Sequence, residues 1–174
     1  LRYELTSHFS MAAALPVYEE EEIFLHADDN ITIFLVQLSA NVLYPPHNHN
    51  MAATIALCDG EETATYYRLR KERTVGRTYT AGDLVFLPAD AIHAVGNPGE
   101  ARSLALHIYY GNLPAMRRSL WHPDSGDVLP FTEENYSRFA APVDADRPFV
   151  SPDQEERVTA SGEPPSRYRI GVIQ

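Results

Sequence analysis

Short β-branched and aromatic runs alternate with turn-forming residues between positions 31 and 110. Breaks such as Asp59-Gly60 and Asn97-Pro98-Gly99 carry the residue types that favour turns. Evenly spaced runs with no helical pattern between them are typical of an antiparallel sandwich or barrel rather than of βαβ units. The pattern predicts strands at residues 31–38, 51–57, 63–69, 74–80, 83–87 and 102–110.

The segments on either side of this region have a different pattern. Residues 6–14 predict a short helix, and we interpret the acidic run at 19–22 as a solvated edge, because adjacent like charges repel unless a metal binds them. Residues 132–140 predict a second short helix, residues 141–166 an extended tail, and residues 168–173 an edge strand or a contact with a partner chain. The sequence therefore predicts an N-terminal helical or edge segment (1–30), a β-barrel (31–113) and a C-terminal extension packed on the barrel or on a partner chain (114–174).

Composition narrows the classes of function. The chain has 174 residues, of which 44% are hydrophobic and 22% charged, as in an ordinary globular domain. Fourteen basic and twenty-four acidic residues give a net charge of −10, which argues against nucleic acid and anionic membranes as partners. No apolar run approaches the roughly 20 residues of a membrane span. With a single cysteine, Cys58, and no leader pattern, we expect a cytoplasmic protein.

Histidines carry the candidate chemistry. His47 and His49 are two residues apart, so an extended strand would put both imidazoles on one face, where they can bind one metal. Such pairs also arise by chance on surfaces, and the pair alone leaves both interpretations open. His107 and Tyr109 have the same spacing and would also share a face. The remaining histidines outside the strand-rich region are expected to be surface or locally hydrogen-bonded residues; they are His8, His26 and His122.

Residues 82–97 resemble the second cupin motif, in which Gly, Pro, a Gly position, His and Asn recur at fixed offsets. Gly82, Pro88, His93 and Asn97 match, and Asp90 stands at the remaining glycine position.

The first cupin motif is matched less fully. His47 and His49 are present, Gly60 closes the motif, and Asn41 stands at its opening glycine position. The motif's glutamate is absent, because the two candidate positions hold Ala53 and Thr54.

Three histidines without the glutamate resemble the cysteine-dioxygenase-like cupins. Residues 105–109 are similar to the Ser-x-His-x-Tyr strand of that family, with His107 and Tyr109 matching and Ala105 in place of the serine. A longer stretch, 92–98 followed by 107–112, resembles a bacterial group described as predicted metal-dependent enzymes of the double-stranded β-helix superfamily. The resemblance spans about residues 20–130 and implies an all-β cupin double-stranded β-helix, or jelly-roll barrel.

The resemblance also implies a function. His47, His49 and His93 would bind the metal, and His107 and Tyr109 would be catalytic residues beside it. Fe(II) is the expected ion, although Ni, Mn or Zn also suit three histidines. In the thiol dioxygenases that the chain resembles, a small substrate binds the iron through its thiolate and amine, O2 takes the third position, and the sulfur leaves as a sulfinate.

Two other functions remain open on the same site. One is a Lewis-acid metalloenzyme such as an isomerase, lyase or hydrolase, and the other is a non-catalytic module that binds a small molecule. The substrate, the metal and the oligomeric state are not fixed by the sequence, and a homodimer through an edge strand or the tail is one alternative.

Departures from the family bear on the substrate. Residues 22–26 lack the arginine that grips the carboxylate in cysteine-specific members, which argues against cysteine itself. Arg68 and Arg70 share a strand face and are expected to point outward, because an unpaired buried guanidinium is costly. The position of the cross-linking cysteine found in some members holds Thr54, so no cross-link is expected, and Cys58 is expected to be a small buried hydrophobe.

Overall fold

The computed structural model describes residues 21–67 and 76–143. The expected helix at 6–14, the side chains of Arg68 and Arg70, and all of the expected tail beyond residue 143 lie outside these ranges. Between residues 21 and 143 the described strands are β1 (Glu22–Ala27), β2 (Thr32–Val36), β3 (Val42–Leu43), β4 (His47–Asn48), β5 (Ala53–Asp59), β6 (Glu61–Tyr67), β7 (Arg77–Thr80), β8 (Leu84–Leu87), β9 (Ile92–Asn97), β10 (Leu104–Tyr109), β11 (Ser119–Trp121) and β12 (Val128–Pro130).

The strands form two antiparallel sheets. One has the order β1-β2-β10-β5-β8, and the other has the order β12-β11-β4-β9-β6-β7, with β3 also paired to β9. From β4 to β10 the chain passes repeatedly from one sheet to the other, which is the connectivity of a jelly roll. The predicted all-β double-stranded β-helix is therefore confirmed. Among the described residues, no helix has the length and apolar character of a membrane span.

All six predicted strands are present with ends displaced by at most three residues, as far as the described residues extend. The sequence pattern missed β1, β3, β4, β9, β11 and β12. β3, β4, β11 and β12 have two or three residues each, too few to show alternation. β9 is buried at all six positions and lies between β4 and β6, so the alternation that marks a half-buried strand is absent there.

Alternation places the core on the inward faces of the sheets. On β5, Ala53, Ile55 and Leu57 are buried, and the residues between them are partly exposed. They belong to an apolar cluster that fills one part of the barrel interior, formed by Met51, Ala53, Ile55, Leu57, Ala64, Tyr66, Tyr79, Val85, Leu87, Ala105, Tyr109 and Leu113.

Both flanks of the expected barrel contribute to the sheets. β1, within the expected N-terminal segment, is an edge strand on β2, with a bulge between Phe24 and His26. β11 and β12, within the expected C-terminal extension, continue the other sheet beyond β4. The predicted helix at 132–140 is the shorter α1 (Glu133–Arg138), where the Thr132 hydroxyl caps the helix by accepting from Asn135 N.

Of the expected solvated acidic run, Glu22 is exposed and Glu21 is half-buried. The Glu21 carboxylate accepts hydrogen bonds from the hydroxyls of Ser39, at 2.9 Å, and Tyr44. These hydroxyl donors replace water, and they attach the start of β1 to the segment that leads into β3.

Candidate metal centre

Three histidines converge inside the barrel. His47 lies on β4 and pairs in register with His93 on β9, and His49 follows β4 directly. One nitrogen from each ring can be chosen so that all three lie within 4.8 Å of one another. The ring centroids of His47 and His93 are 4.6 Å apart, and that of His49 is 5.2 and 5.1 Å from them. Two neighbouring strands thus place the predicted ligands around one point.

The hydrogen bonds of these rings leave nitrogen lone pairs free. His47 Nδ1 is 3.0 Å from the carbonyl oxygen of Pro45, to which it donates, so Nε2 keeps its lone pair. His93 Nε2 is buried and has no hydrogen-bond partner. A buried polar atom without a partner costs free energy, and a cation at the shared point would remove that cost.

Burial also keeps the rings uncharged. Desolvation lowers the pKa of His47 to about 4 and that of His49 and His93 well below the usual value of 6.5. Because the neutral imidazole is the form that binds metals, all three side chains are ready as ligands at pH 7. Three neutral nitrogen donors with no carboxylate in the group suit a divalent transition metal such as Fe(II), Mn, Ni or Zn.

His107 and Tyr109 lie beside this trio. The Tyr109 ring centroid is 4.9 Å from that of His49, and the Tyr109 hydroxyl is 3.0 Å from His107 Nδ1. Burial raises the pKa of Tyr109, so the phenol keeps its proton at neutral pH, and lowers the pKa of His107 to about 3. A neutral imidazole and a neutral phenol therefore share a hydrogen bond at the edge of the trio.

Several residues of the same cavity were missed by the sequence argument. Beyond the five predicted residues, its described lining consists of Glu22, Val36, Leu38, Glu62, Val95, Arg118, Phe131 and Tyr136. Glu62 was detectable, because it shares the inward parity of Ala64 and Tyr66 on β6. Arg118 was not, because it precedes a strand of three residues beyond the expected barrel.

Arg118 brings a positive charge to the cavity. Its guanidinium carbon is 3.8 Å from the centroid of the Phe131 ring, a cation–π contact. Desolvation lowers its pKa, while Tyr109 and Glu22 act in the opposite direction. The guanidinium remains protonated at neutral pH, because arginine does not deprotonate in proteins.

Aromatic residues close the cavity. Phe131 and Tyr136 have ring centroids 5.4 and 5.3 Å from that of His47, and Tyr136 stacks on Tyr44 with centroids 4.4 Å apart. The cavity volume is about 20 Å³, room for one water-sized group. Phe131 and Tyr136 thus cover the histidines in this conformation.

The other predicted positions are now placed. At the missing glutamate, Ala53 is the inward residue, and Thr54 lies on the other face, where its hydroxyl is 3.0 Å from that of Tyr110. Cys58, expected to be a small buried hydrophobe, shares the face of Thr54 and is half-buried.

The two described histidines outside the site have local partners, as expected. His26 pairs with Asp28 at 3.2 Å, and His122 Nδ1 accepts from the backbone N–H groups of Asp124 and Ser125 at 3.2 and 3.3 Å. His8 lies outside the described residues.

No protein-family model and no curated protein matches this chain. Solved structures do match, among them an RmlC-like cupin with a double-stranded β-helix fold from Methanocaldococcus jannaschii, at 16% identity and TM-score 0.48 over 57% of this chain and 90% of that one. A conserved protein with a double-stranded β-helix domain from Klebsiella pneumoniae matches at 16% identity and TM-score 0.47 over 64% of this chain and 93% of that one.

Oxalate decarboxylase from Bacillus subtilis, in a form with one tryptophan replaced by tyrosine, matches at 19% identity and TM-score 0.45 over 52% of this chain. The match spans 24% of the length of that enzyme, about a quarter. The structural neighbours are thus cupin and double-stranded β-helix proteins.

Proposed function

We propose that the protein is a metal-dependent cupin oxygenase, resembling the thiol dioxygenases, that holds Fe(II) through His47, His49 and His93. The observation that carries the proposal is the convergence of three buried, neutral imidazoles, of which His93 has an unpaired Nε2. When bound, the ion would supply a centre at which a chelating substrate and O2 can bind.

Tyr109 and His107 would orient and protonate what binds there. The phenol keeps its proton at neutral pH, and its hydroxyl lies at the edge of the trio, next to His49. It can donate a hydrogen bond to a substrate heteroatom or accept one from it, and His107 fixes the orientation of the hydroxyl from the other side.

Charge favours an anionic substrate. Three neutral ligands do not compensate the +2 charge of a divalent ion, and the Arg118 guanidinium adds another positive charge to a cavity whose described acidic residues are Glu22 and Glu62. A small molecule with a chelating group and a carboxylate would neutralise both, since guanidinium and carboxylate form a charge-assisted pair. Arg118 would then supply the contact for which residues 22–26 have no arginine.

Phe131 and Tyr136 cover the histidines, and this arrangement favours a reaction from which water is excluded. Phe131 and Tyr136 leave space for about one water-sized group, so a substrate must displace them on entry and would be enclosed once they return. Exclusion of water strengthens the electrostatic contacts of Arg118 and protects reactive species from side reactions.

The test begins with elemental analysis of protein purified without added metal. Iron-loaded protein, prepared without oxygen, is then mixed with thiols and hydroxy or keto acids that carry a carboxylate, and O2 uptake is followed. We expect uptake with at least one such compound, and loss of bound metal and uptake in His93→Ala. His122→Ala is the matched control, since His122 has only local hydrogen bonds.

Two results would overturn the proposal. Turnover of the same compounds under strict anaerobiosis would assign the site to Lewis-acid chemistry with Zn, Mn or Ni. Stoichiometric binding without product from any metal form would assign it to a small-molecule-binding module.

A further inference from the structure

The five-stranded sheet β1-β2-β10-β5-β8 has a second face, which points away from the barrel interior. On β10, the inward residues alternate with Leu106 and Ile108, which are partly exposed on the opposite side. The same alternation leaves partly or largely exposed side chains on the other four strands. This outer face consists of Ile23, Ile33, Leu35, Thr54, Ala56, Cys58, Leu84, Phe86, Leu106, Ile108 and Tyr110.

The register of the strands joins these side chains into rows across the sheet. Leu106, on the central strand, is the register partner of Leu35 on one side and of Ala56 on the other. Leu35 in turn pairs with Ile23 on β1, and Ala56 pairs with Leu84 on β8. One apolar row therefore crosses all five strands without a polar residue.

A second row runs beside the first and consists of Ile33, Ile108, Thr54 and Phe86. Thr54 is its polar member, and its hydroxyl is 3.0 Å from that of Tyr110, so its hydrogen bond lies within the face. Phe86 is 45% exposed and Tyr110 is 52% exposed. Two adjacent apolar rows form a contiguous patch, and a patch of this kind marks an interaction site more often than single exposed residues do.

Charge is confined to the rim of the outer face. None of the residues that form the face is Asp, Glu, Lys or Arg, although the chain has a net charge of −10. At the edge, His26 pairs in register with Ile33 and contacts Asp28 at 3.2 Å. An apolar centre with a polar rim is the usual anatomy of a protein interface. Two copies of this acidic chain can meet here without burying like charges.

The dimensions of the outer face suit a second copy of the chain. Five strands about 4.8 Å apart, each rising about 3.3 Å per residue over about six residues, give a projected area of roughly 480 Å². Two copies together would bury about 1,000 Å², which is the area that a specific interface needs, and the relief of the side chains adds to it. Two sheets pack face to face in this way at a separation of about 10 Å.

We propose that the protein forms a homodimer in which the outer faces of two copies pack against each other around a twofold axis. Such an interface uses the same patch on both copies, so assembly stops at two. The edge strand β1 is less suited to pairing between copies, because a bulge between Phe24 and His26 interrupts it. The centre of the interface is β10, which carries Leu106 and Ile108 outward. The proposal is independent of the proposed function.

Association is measured on full-length, metal-free protein by sedimentation equilibrium over a wide range of concentration. We expect a monomer–dimer equilibrium that ends at twice the 19.5 kDa of one chain. Added salt should strengthen association, since it screens the repulsion between two copies of net charge −10. A monomer at every concentration, or growth beyond two copies, would overturn the proposal.

Substitution of the outer face tests its role. Phe86→Glu should raise the dissociation constant of the dimer at least about tenfold, because an unpaired carboxylate would be buried between apolar side chains. Tyr110→Glu should act in the same direction. Val128→Glu is the matched control, since Val128 is 41% exposed but lies on β12 in the other sheet. Near-ultraviolet circular dichroism identifies variants that fold, and a folded Phe86→Glu or Tyr110→Glu that dimerises like wild type would contradict the proposal.

Cys58 reports which molecule covers the outer face. It is the single cysteine of the chain and lies half-buried on this face, two residues beyond Ala56 on β5. Its reaction with a thiol reagent should therefore slow as the protein concentration is raised through the dissociation constant. In Phe86→Glu the rate should stay at that of dilute wild type. A wild-type rate that does not depend on concentration would assign the face to solvent or to another part of the same chain, and the second copy would be excluded.

Discussion

The interior of this barrel has an apolar part and a polar part. Around Leu87, Ile55 and Val85 the inward side chains are apolar and pack against one another. Around His47, His49 and His93 they are polar, and two buried nitrogens, Nε2 of His93 and Nε2 of His107, have no hydrogen-bond partner. The same strands contribute to both parts, since β10 carries Ala105 in the first and His107 near the second. The comparison shows where the fold gains stability and where it accepts the cost of buried polar atoms without partners.

The largest expected effect lies in the apolar part. Leu87 is 0% exposed within the apolar cluster, so Leu87→Ala should lower the free energy of unfolding by about 2–5 kcal/mol, because contacts are lost and a cavity remains. Denaturant titration of the metal-free protein measures it, with Leu84→Ala, exposed on the same strand, as the control. A loss below about 1 kcal/mol would show that this part of the barrel is not a packed core.

In the polar part, removal of a ligand should affect metal binding more than folding. His93→Ala should weaken Zn or Mn binding at least about 100-fold, because loss of a ligand exceeds the effect of a supporting residue. Calorimetric titration of metal-free protein measures the affinity, and the unfolding midpoint is recorded alongside. Unchanged affinity would mean that the ion, if bound, sits elsewhere.

The two parts should also differ in their response to pH. An unfolded histidine has a pKa near 6.5, while burial lowers that of His47 to about 4 and that of His107 to about 3. The unfolded chain therefore binds more protons in this range, and the stability of metal-free protein should fall on acidification from about pH 6.5, by on the order of 1 kcal/mol per pH unit. Unfolding at pH 7.5, 6 and 5 measures this, and stability that is constant across those pH values would show that the histidines are already solvated.

Glu62 should give a smaller effect of opposite sign. Its pKa is raised to about 7 from 4.5, so the folded state keeps a proton that the unfolded chain loses, and wild-type stability declines as pH rises through this window. Glu62→Gln removes that decline. The variant should gain on the order of 1 kcal/mol relative to wild type between pH 5 and pH 8, measured by denaturant unfolding at both values. An identical difference at the two pH values would show that the carboxyl group does not titrate in this range.

The smallest effect is expected from substitution of Tyr136, one of the two aromatic residues that cover the histidines. Tyr136→Ala removes a ring beside His47 and should speed extraction of bound zinc by a chelator several-fold, with little change in the equilibrium affinity. Tyr110→Ala, at a tyrosine that is 52% exposed, is the control. An extraction rate equal to wild type would mean that metal leaves by another route.

Local patterns explain what the sequence revealed. Alternation and turn residues predicted six strands, and the resemblance of two segments to the cupin motifs predicted the trio of His47, His49 and His93. Asn41, at the opening glycine position of the first motif, has a φ of 53°, a conformation that asparagine tolerates better than most residues. Asn41 departs from the motif's glycine but suits the same left-handed conformation.

Long-range geometry explains what it did not reveal. Arg118, Phe131 and Tyr136 reach the cavity only because β11 pairs with β4 and α1 packs near His47, and those contacts join residues about 70 to 90 positions apart. No local period marks such a contact. Glu62 was accessible to reasoning from strand parity, but a charged residue on an inward face contradicts the usual rule for burial.

The segment that carries His47 and His49 is hydrogen-bonded to the segment that carries Arg118. Ser119 N donates to Asn48 Oδ1 at 2.8 Å, Asn50 Nδ2 donates to the Arg117 carbonyl at 2.8 Å, and Trp121 N donates to the Pro46 carbonyl at 2.8 Å. A sequence change that shifts one of these segments will therefore shift the other. A natural variant that moved the Arg118 guanidinium to suit a new ligand would also move the imidazoles. We therefore expect the preference for a ligand and the preference for an ion to change together.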